Sequence, residues 1–205
     1  MKFGSVIVET RALPDLVEII NNHLKFIPKH WGLTIFHGEE NEAVLKQAFP
    51  FATFNRLLVD WKPKSYCNDT MTSLDFWNGL YYDKVLVFQS DSMILRNGIY
   101  EFLEYDYIGS PWQHLEIGGN GGFSIRDKAK TLALLNKKPY TFELHGNEDE
   151  YFSKYLHEVG GKVAPREMCL KFGCESIFTL GTFGYHAIDK HLTPAECEQI
   201  INQYK

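Results

Sequence analysis

Four short polar clusters carry the side chains able to do chemistry in this chain. The first, Gln89-Ser90-Asp91, directly follows the apolar run Val85-Leu86-Val87-Phe88. A carboxylate at the end of a buried strand lies in the crevice beyond the strand's carboxyl end, where ligands bind in open α/β sheets. A hard cation such as Mn²⁺ or Mg²⁺ prefers oxygen ligands of this kind, and Asp91 is therefore a candidate metal ligand. The competing role for Asp91 is the N-cap of a following helix. Far along the chain, Phe183-Gly184-Tyr185-His186 offers an imidazole that could join Asp91 on the same ion; otherwise His186 is an ordinary core or surface histidine.

The run Gly118-Gly119-Asn120-Gly121-Gly122 sets four glycines around one amide, ahead of the strand-like Phe123-Ser124-Ile125. Glycines admit positive φ and close approach of a ligand, so backbone N–H groups and the Asn120 amide could bond sugar hydroxyls or phosphate oxygens; a hairpin turn is the alternative. No Lys-Ser/Thr follows, which excludes a P-loop. Asn147-Glu148-Asp149-Glu150 brings three carboxylates to the start of a helix. The helix dipole favours acids there, while Glu148 or Asp149 could instead take a proton from an attacking hydroxyl. Trp112, after Pro111, is a candidate pocket wall, and Thr10-Arg11 at the end of the first strand could meet a nucleotide, with a plain surface arginine as the alternative.

These clusters need a scaffold, and the apolar pattern supplies one. Strands are expected at 3–9, 32–36, 54–59 and 85–88, with helices opened by Pro14-Asp15, at 41–49 and from Met71 to Tyr81. The β-α-β-α succession implies a mostly parallel sheet with helices on both faces. Beyond Asp91 the pattern predicts a helix at 98–104, short strands near 107–109 and 122–125, helices at 127–136 and 149–159 ended by Gly160-Gly161, and a strand near 162–165. The segment 183–186 is expected in a late loop. Thr193, Pro194 and Glu196 form a capping box for a final helix.

Composition narrows the partners. The 205 residues are 44% hydrophobic, enough for the core of one domain, and carry a net charge of −5 with no Lys/Arg run. Nucleic acid and anionic membrane both demand a basic patch, so neither is expected as the main partner. No run approaches the ~18 apolar residues of a membrane span, and the first residues lack the pattern of a signal peptide. The four cysteines show no CxxC spacing and read as reduced thiols of a cytoplasmic protein.

Taken together, VLVFQSDSMIL, FLEYDYIGSPW, GGNGGFSIR, NEDEYF and FGYH resemble, in the same order, the glycosyltransferase-like domain of bacteria, fungi and large algal viruses, in a compact version similar to viral enzymes of capsid glycan synthesis. The resemblance implies an α/β GT-A fold, a UDP-sugar donor, a divalent metal and a glycan or glycoprotein acceptor. It sets Gln89, Ser90 and Asp91 where related enzymes carry Asp-x-Asp. Gln89 replaces the first acid, which gives His186 more weight as a ligand. By the same resemblance Asn120, Gly121 and Gly122 border donor sugar and acceptor, and Glu148 or Asp149 takes the acidic acceptor position. Two rivals stand beside this transferase. A nucleotidyltransferase usually needs a Gly-rich basic loop after its first strand, and residues 10–16 lack it. A catalytically silent sugar-nucleotide-binding module would bind without turnover.

Overall fold

A computed structural model describes residues 1–58 and 65–204. Its elements run β1 (Phe3–Glu9), α1 (Leu16–Phe26), β2 (Gly32–His37), α2 (Glu42–Ala48), β3 (Thr53–Arg56), α3 (Ser65–Met71), α4 (Leu74–Gly79), β4 (Lys84–Phe88), β5 (Ser92–Ile94), β6 (Tyr107–Gly109), β7 (Phe123–Asp127), α5 (Lys128–Lys137), α6 (Phe142–His145), α7 (Glu148–Tyr155), α8 (Arg166–Phe172), β8 (Gly173–Cys174), β9 (Gly184–His186) and α9 (Pro194–Asn202). Six strands form a sheet in the order β3-β2-β1-β4-β7-β6. β1 to β4 are parallel, and β7 runs antiparallel between β4 and β6.

The strand residues alternate between two cores, one on each face of the sheet. Ile7, Leu33, Ile35, Leu86 and Phe88 pack with α1 and α8, whereas Val6, Val8, Val85 and Val87 pack with α4, α5 and α7. Burial on both faces explains why β1 and β4 read as continuous apolar runs. β1 connects outward to β2 and β3, and the chain then returns to place β4 on the other side of β1. The reversal of strand order therefore falls between β1 and β4, opening a crevice at their carboxyl ends. β5, β9 and β8 build a small second sheet at that end, which brings residues 184–186 beside 92–94.

Several expectations are corrected. The helix from Met71 to Tyr81 is two helices, because the Ser73 hydroxyl accepts from Phe76 N and caps a new start, and Trp77 Nε1 donates to Met71 O at 2.7 Å across the break. The segment 98–104 is a single 3₁₀ turn at Ile99–Phe102, entered through Gly98 at φ 131°. No strand forms at 162–165: Val163 and Pro165 make isolated bridges, and Pro165 is the N-cap of α8, a helix that the apolar pattern does not announce. Residues 184–186 are a strand, where a loop was expected. The third strand is Thr53–Arg56, and Val59 lies outside the described residues. The capping box of α9 forms as expected, with the Thr193 hydroxyl accepting from Glu196 N and Glu196 Oε2 accepting from Thr193 N at 2.8 Å. Among the described residues, no helix is long and apolar enough to cross a membrane.

Candidate active site

The crevice between β1 and β4 collects the first group of candidates. Glu9 is buried at the end of β1 and accepts from the Arg11 guanidinium at 2.6 Å and from the Ser90 hydroxyl at 2.9 Å. Thr10 is buried there too, with its hydroxyl unpartnered among the described residues. Thr10, Arg11 and Ser90 thus share one end of the sheet because β1 and β4 are hydrogen-bonded neighbours.

Asp91 does not cap a helix, since β5 begins at the next residue. Antiparallel pairing sets Ser92 opposite His186, so the Asp91 carboxylate reaches the imidazole: Oδ1 lies 3.2 Å from Nε2. Gln89 Oε1 lies 3.1 Å from the same nitrogen, and Nδ1 faces Glu175 Oε1 at 3.1 Å. Lys190 donates to Asp91 Oδ2 at 2.6 Å. Ala187, immediately after His186, adopts φ 48°, a left-handed conformation that a non-glycine residue resists. The strained turn ends β9 at the imidazole while Ala187 N donates to Asp91 O.

Burial opposes charge on His186, but its hydrogen bonds to Asp91 and Glu175 outweigh that and raise it to about 9. Burial likewise opposes the Asp91 carboxylate, and His186 and Lys190 nevertheless hold it well below its ordinary range. The cluster sets one imidazole between two acidic side chains. Among the described residues no three His, Cys, Asp or Glu side chains form a cation cage. The atoms facing Nε2 are one carboxylate oxygen and one amide oxygen, a donor set suited to a hard divalent cation shared with ligand oxygens.

A cavity of about 500 Å³ is lined by Gln89 and His186 and by Glu148 and Asp149, the two groups meeting at Gly121 and Gly122, with Trp112 and Asn120 beside them. The two neighbouring acids have different roles. Both Glu148 oxygens accept from the fully buried Arg126, at 2.6 and 3.0 Å, beneath the rings of Tyr107 and Phe152. Asp149 Oδ2 accepts from Gly121 N at 3.1 Å. Burial, then the adjacent Glu148 charge, raises Asp149 to about 7. A carboxyl so placed can exchange a proton near neutrality.

The glycine run is shaped by protein contacts. Gly118 and Gly119 hold φ of 70° and 152°. A Cβ on Gly122 would collide with the His186 ring and Gln89, and one on Gly121 with Glu148 and Arg126. Asn120 Oδ1 turns inward and accepts from Gly122 N at 2.6 Å. Close approach here is that of His186 and Arg126 to the backbone.

Several cavity residues went unnoticed in the sequence. Asn68 accepts from Glu148 N at 3.0 Å, His114 stacks on Trp112 at 5.6 Å, and Glu175 and Lys190 flank His186 and Asp91. None sits in a recognisable motif, so only tertiary placement reveals them. Cys67 also lines the cavity, but burial, ahead of the Glu148 charge, pushes its thiol to about 12, which leaves it neutral.

The fold recurs in solved glycosyltransferases. The mannosyltransferase PcManGT from Pyrobaculum calidifontis, in complex with GDP-Man and Mn²⁺, superposes with a TM-score of 0.56 at 9% identity, covering 78% of this chain and 53% of that one. S. aureus TarS 1-349 in complex with UDP gives 0.57 at 13% identity, covering 98% of this chain and 63% of that one. At such identities the likeness establishes the GT-A fold, and this chain spans 53% and 63% of those two proteins' lengths. No curated protein sequence matches the chain significantly. The family described as "Protein of unknown function (DUF5672)" matches residues 51–186, a span that includes Gln89, Asp149 and His186 of the cavity lining, and the chain belongs to that family.

Proposed function

We propose that the protein is a metal-dependent glycosyltransferase that moves a hexosyl or deoxyhexosyl unit from a UDP-sugar, UDP-glucose or UDP-rhamnose, to a hydroxyl of a glycan or glycoprotein. The observation that carries this reading is that the His186 cluster and Asp149 share one cavity. Gln89, His186 and Asp149 line it, Asp91 meets the His186 imidazole at 3.2 Å, and Asp149 is raised to about 7. The GT-A fold and neighbours holding GDP-Man with Mn²⁺ or UDP-GlcNAc support a nucleotide-sugar donor. The resemblance to domains of large algal viruses supports a capsid glycan as acceptor.

Thr10, Arg11 and Ser90 stand at the switch point between β1 and β4, where the nucleotide would bind. Asp91 and His186 would hold Mn²⁺ or Mg²⁺, with Gln89 Oε1 beside them. A cation there would neutralise the diphosphate as charge develops on the departing UDP. Asp149 accepts the proton of the acceptor hydroxyl as its oxygen bonds to the anomeric carbon and the sugar–diphosphate bond breaks. Glu148, with both oxygens held by Arg126, positions Asp149 and does not itself take the proton. Trp112, Asn120 and Gly122 border the sugars.

Calorimetry of UDP, GDP and CMP with Mn²⁺ and with EDTA, followed by turnover of UDP-sugars, tests this. UDP should bind far more tightly with Mn²⁺. Equal affinity in EDTA overturns the metal, and Mn²⁺-dependent binding without turnover makes the protein a binding module.

A further inference from the structure

Glu175 is buried, with 4% of its surface exposed, and its carboxylate is only half used. Oε1 faces His186 Nδ1 at 3.1 Å, whereas Oε2 is buried without a hydrogen-bond partner among the described residues. Burying an unpaired carboxylate oxygen is destabilising, so stability alone does not account for an acid at this position. Charge pairing uses only Oε1, which faces His186 Nδ1 at 3.1 Å and lies 3.9 Å from His191 Nε2, and His186 already has Asp91 at 3.2 Å on its other nitrogen.

The placement of Glu175 is rigid. It follows β8, whose Cys174 pairs in parallel register with Tyr185 and so brings the next residue alongside His186. Just before β8, Phe172 stacks on Phe123 at 4.9 Å in the core, and within it Cys174 Sγ donates to Ile177 O at 3.2 Å. What Glu175 alone provides is an acceptor for Nδ1–H. An imidazole that donates from one nitrogen to a carboxylate keeps the lone pair of the other nitrogen for a metal and gains basicity. Here that other nitrogen is Nε2, the atom facing Asp91 Oδ1 and Gln89 Oε1.

Resting on the metal-dependent reading above, we infer that Glu175 is a positioning residue: it fixes the ring of His186 with Nε2 toward the metal position, and it returns from behind the ring the negative charge absent at Gln89. The inference predicts a loss of metal affinity without a loss of fold. Mn²⁺ titrated into the full chain in the presence of UDP and followed by electron paramagnetic resonance, with protein-free Mn²⁺–UDP as reference, should show Glu175→Ala weakened by about 10- to 100-fold. Glu175→Gln keeps the shape but loses the charge, and should weaken binding by about tenfold, at the lower end of that range. UDP affinity in EDTA and the melting temperature in EDTA should match the wild type in both variants, or the melting temperature should rise because the orphaned oxygen is gone. If alanine unfolds the chain, the isosteric glutamine carries the test.

Mn²⁺ dependence in the wild type with both variants within about twofold of it overturns the role of Glu175 and leaves the metal reading standing. Parallel losses of melting temperature and of UDP affinity in EDTA make Glu175 structural and overturn it as well. A wild type indifferent to Mn²⁺ overturns the metal reading, and the inference with it.

Discussion

Two ionic clusters meet at Gly121-Gly122, and they are built on opposite terms. On one side Arg126 and Glu148 are both buried, bidentate and saturated: Arg126 also bonds Ser124 Oγ at 3.0 Å and Gly121 O at 3.3 Å, and Asn68 caps the Glu148 backbone. On the other side Asp91 is 30% exposed, Lys190 is exposed, and Asp91, Glu175 and Gln89 crowd one imidazole. The first cluster is closed and balances its charge. The second faces the cavity, has a carboxylate oxygen unpaired among the described residues and sits beside a strained Ala187. Balanced burial is what a scaffold needs, whereas imperfect satisfaction facing a cavity is what the proposed metal and donor would complete. Asp149 stands at the border: its neighbour Glu148 is paired with Arg126, yet its own partly buried carboxyl is lifted to about 7.

The largest effect expected falls on that border. Asp149→Asn should lower turnover by about 10²- to 10⁴-fold with UDP affinity unchanged, as loss of general-base assistance requires. The wild-type rate should rise with pH through about 7, because the active form is the carboxylate, and this step should vanish in the variant. The linked stability runs the other way. A folded-state pKa raised from 3.8 to about 7 favours the fold fully below about pH 4, and that contribution fades as pH climbs through 7. Chemical denaturation of Asp149→Asn and wild type from pH 4 to 8 reads this difference, and parallel curves would remove the raised pKa.

Breaking the closed cluster comes next. Arg126→Met leaves Glu148 charged and buried, and urea unfolding should show about 3–5 kcal/mol lost, while Arg126→Met with Glu148→Leu should recover most of it. An unchanged midpoint in the single variant would show that the pair does not behave as a sealed scaffold.

In the open cluster, Asp91→Asn or His186→Ala should each weaken Mn²⁺-dependent UDP binding. The double variant should lose little beyond the worse single one, since partners on one ion are not additive. Fully additive losses in calorimetry would separate the two residues. The smallest effect belongs to Lys190→Met, which removes an exposed pair and should change stability by less than ~1 kcal/mol; a larger shift in the urea midpoint would tie Lys190 into the scaffold.

The local elements were legible because their signals are local. Continuous apolar runs mark β1 and β4, since alternate residues feed two cores, and the Thr193–Glu196 box marks α9 from four adjacent residues. The alternation of strands and helices is enough to imply a mostly parallel sheet, and with it the location of Asp91 and Thr10-Arg11 at the carboxyl ends of strands. Breaks inside helical patterns were not legible, because the split at Ser73 depends on Trp77 reaching back to Met71 O. Nor was the small second sheet, whose strands of two and three residues have no periodicity to read. That sheet is what brings His186 and Glu175 to Asp91. Likewise, Glu148 and Asp149 are adjacent acids in one helix start, and only the buried Arg126, 22 residues away, makes one of them scaffold and leaves the other able to exchange a proton. The sequence alone determined which residue types were available and at which strand end they stood. Their partners, and therefore their charges, were decided by long-range packing, because burial and Coulomb interaction depend on distance in space and not on separation along the chain.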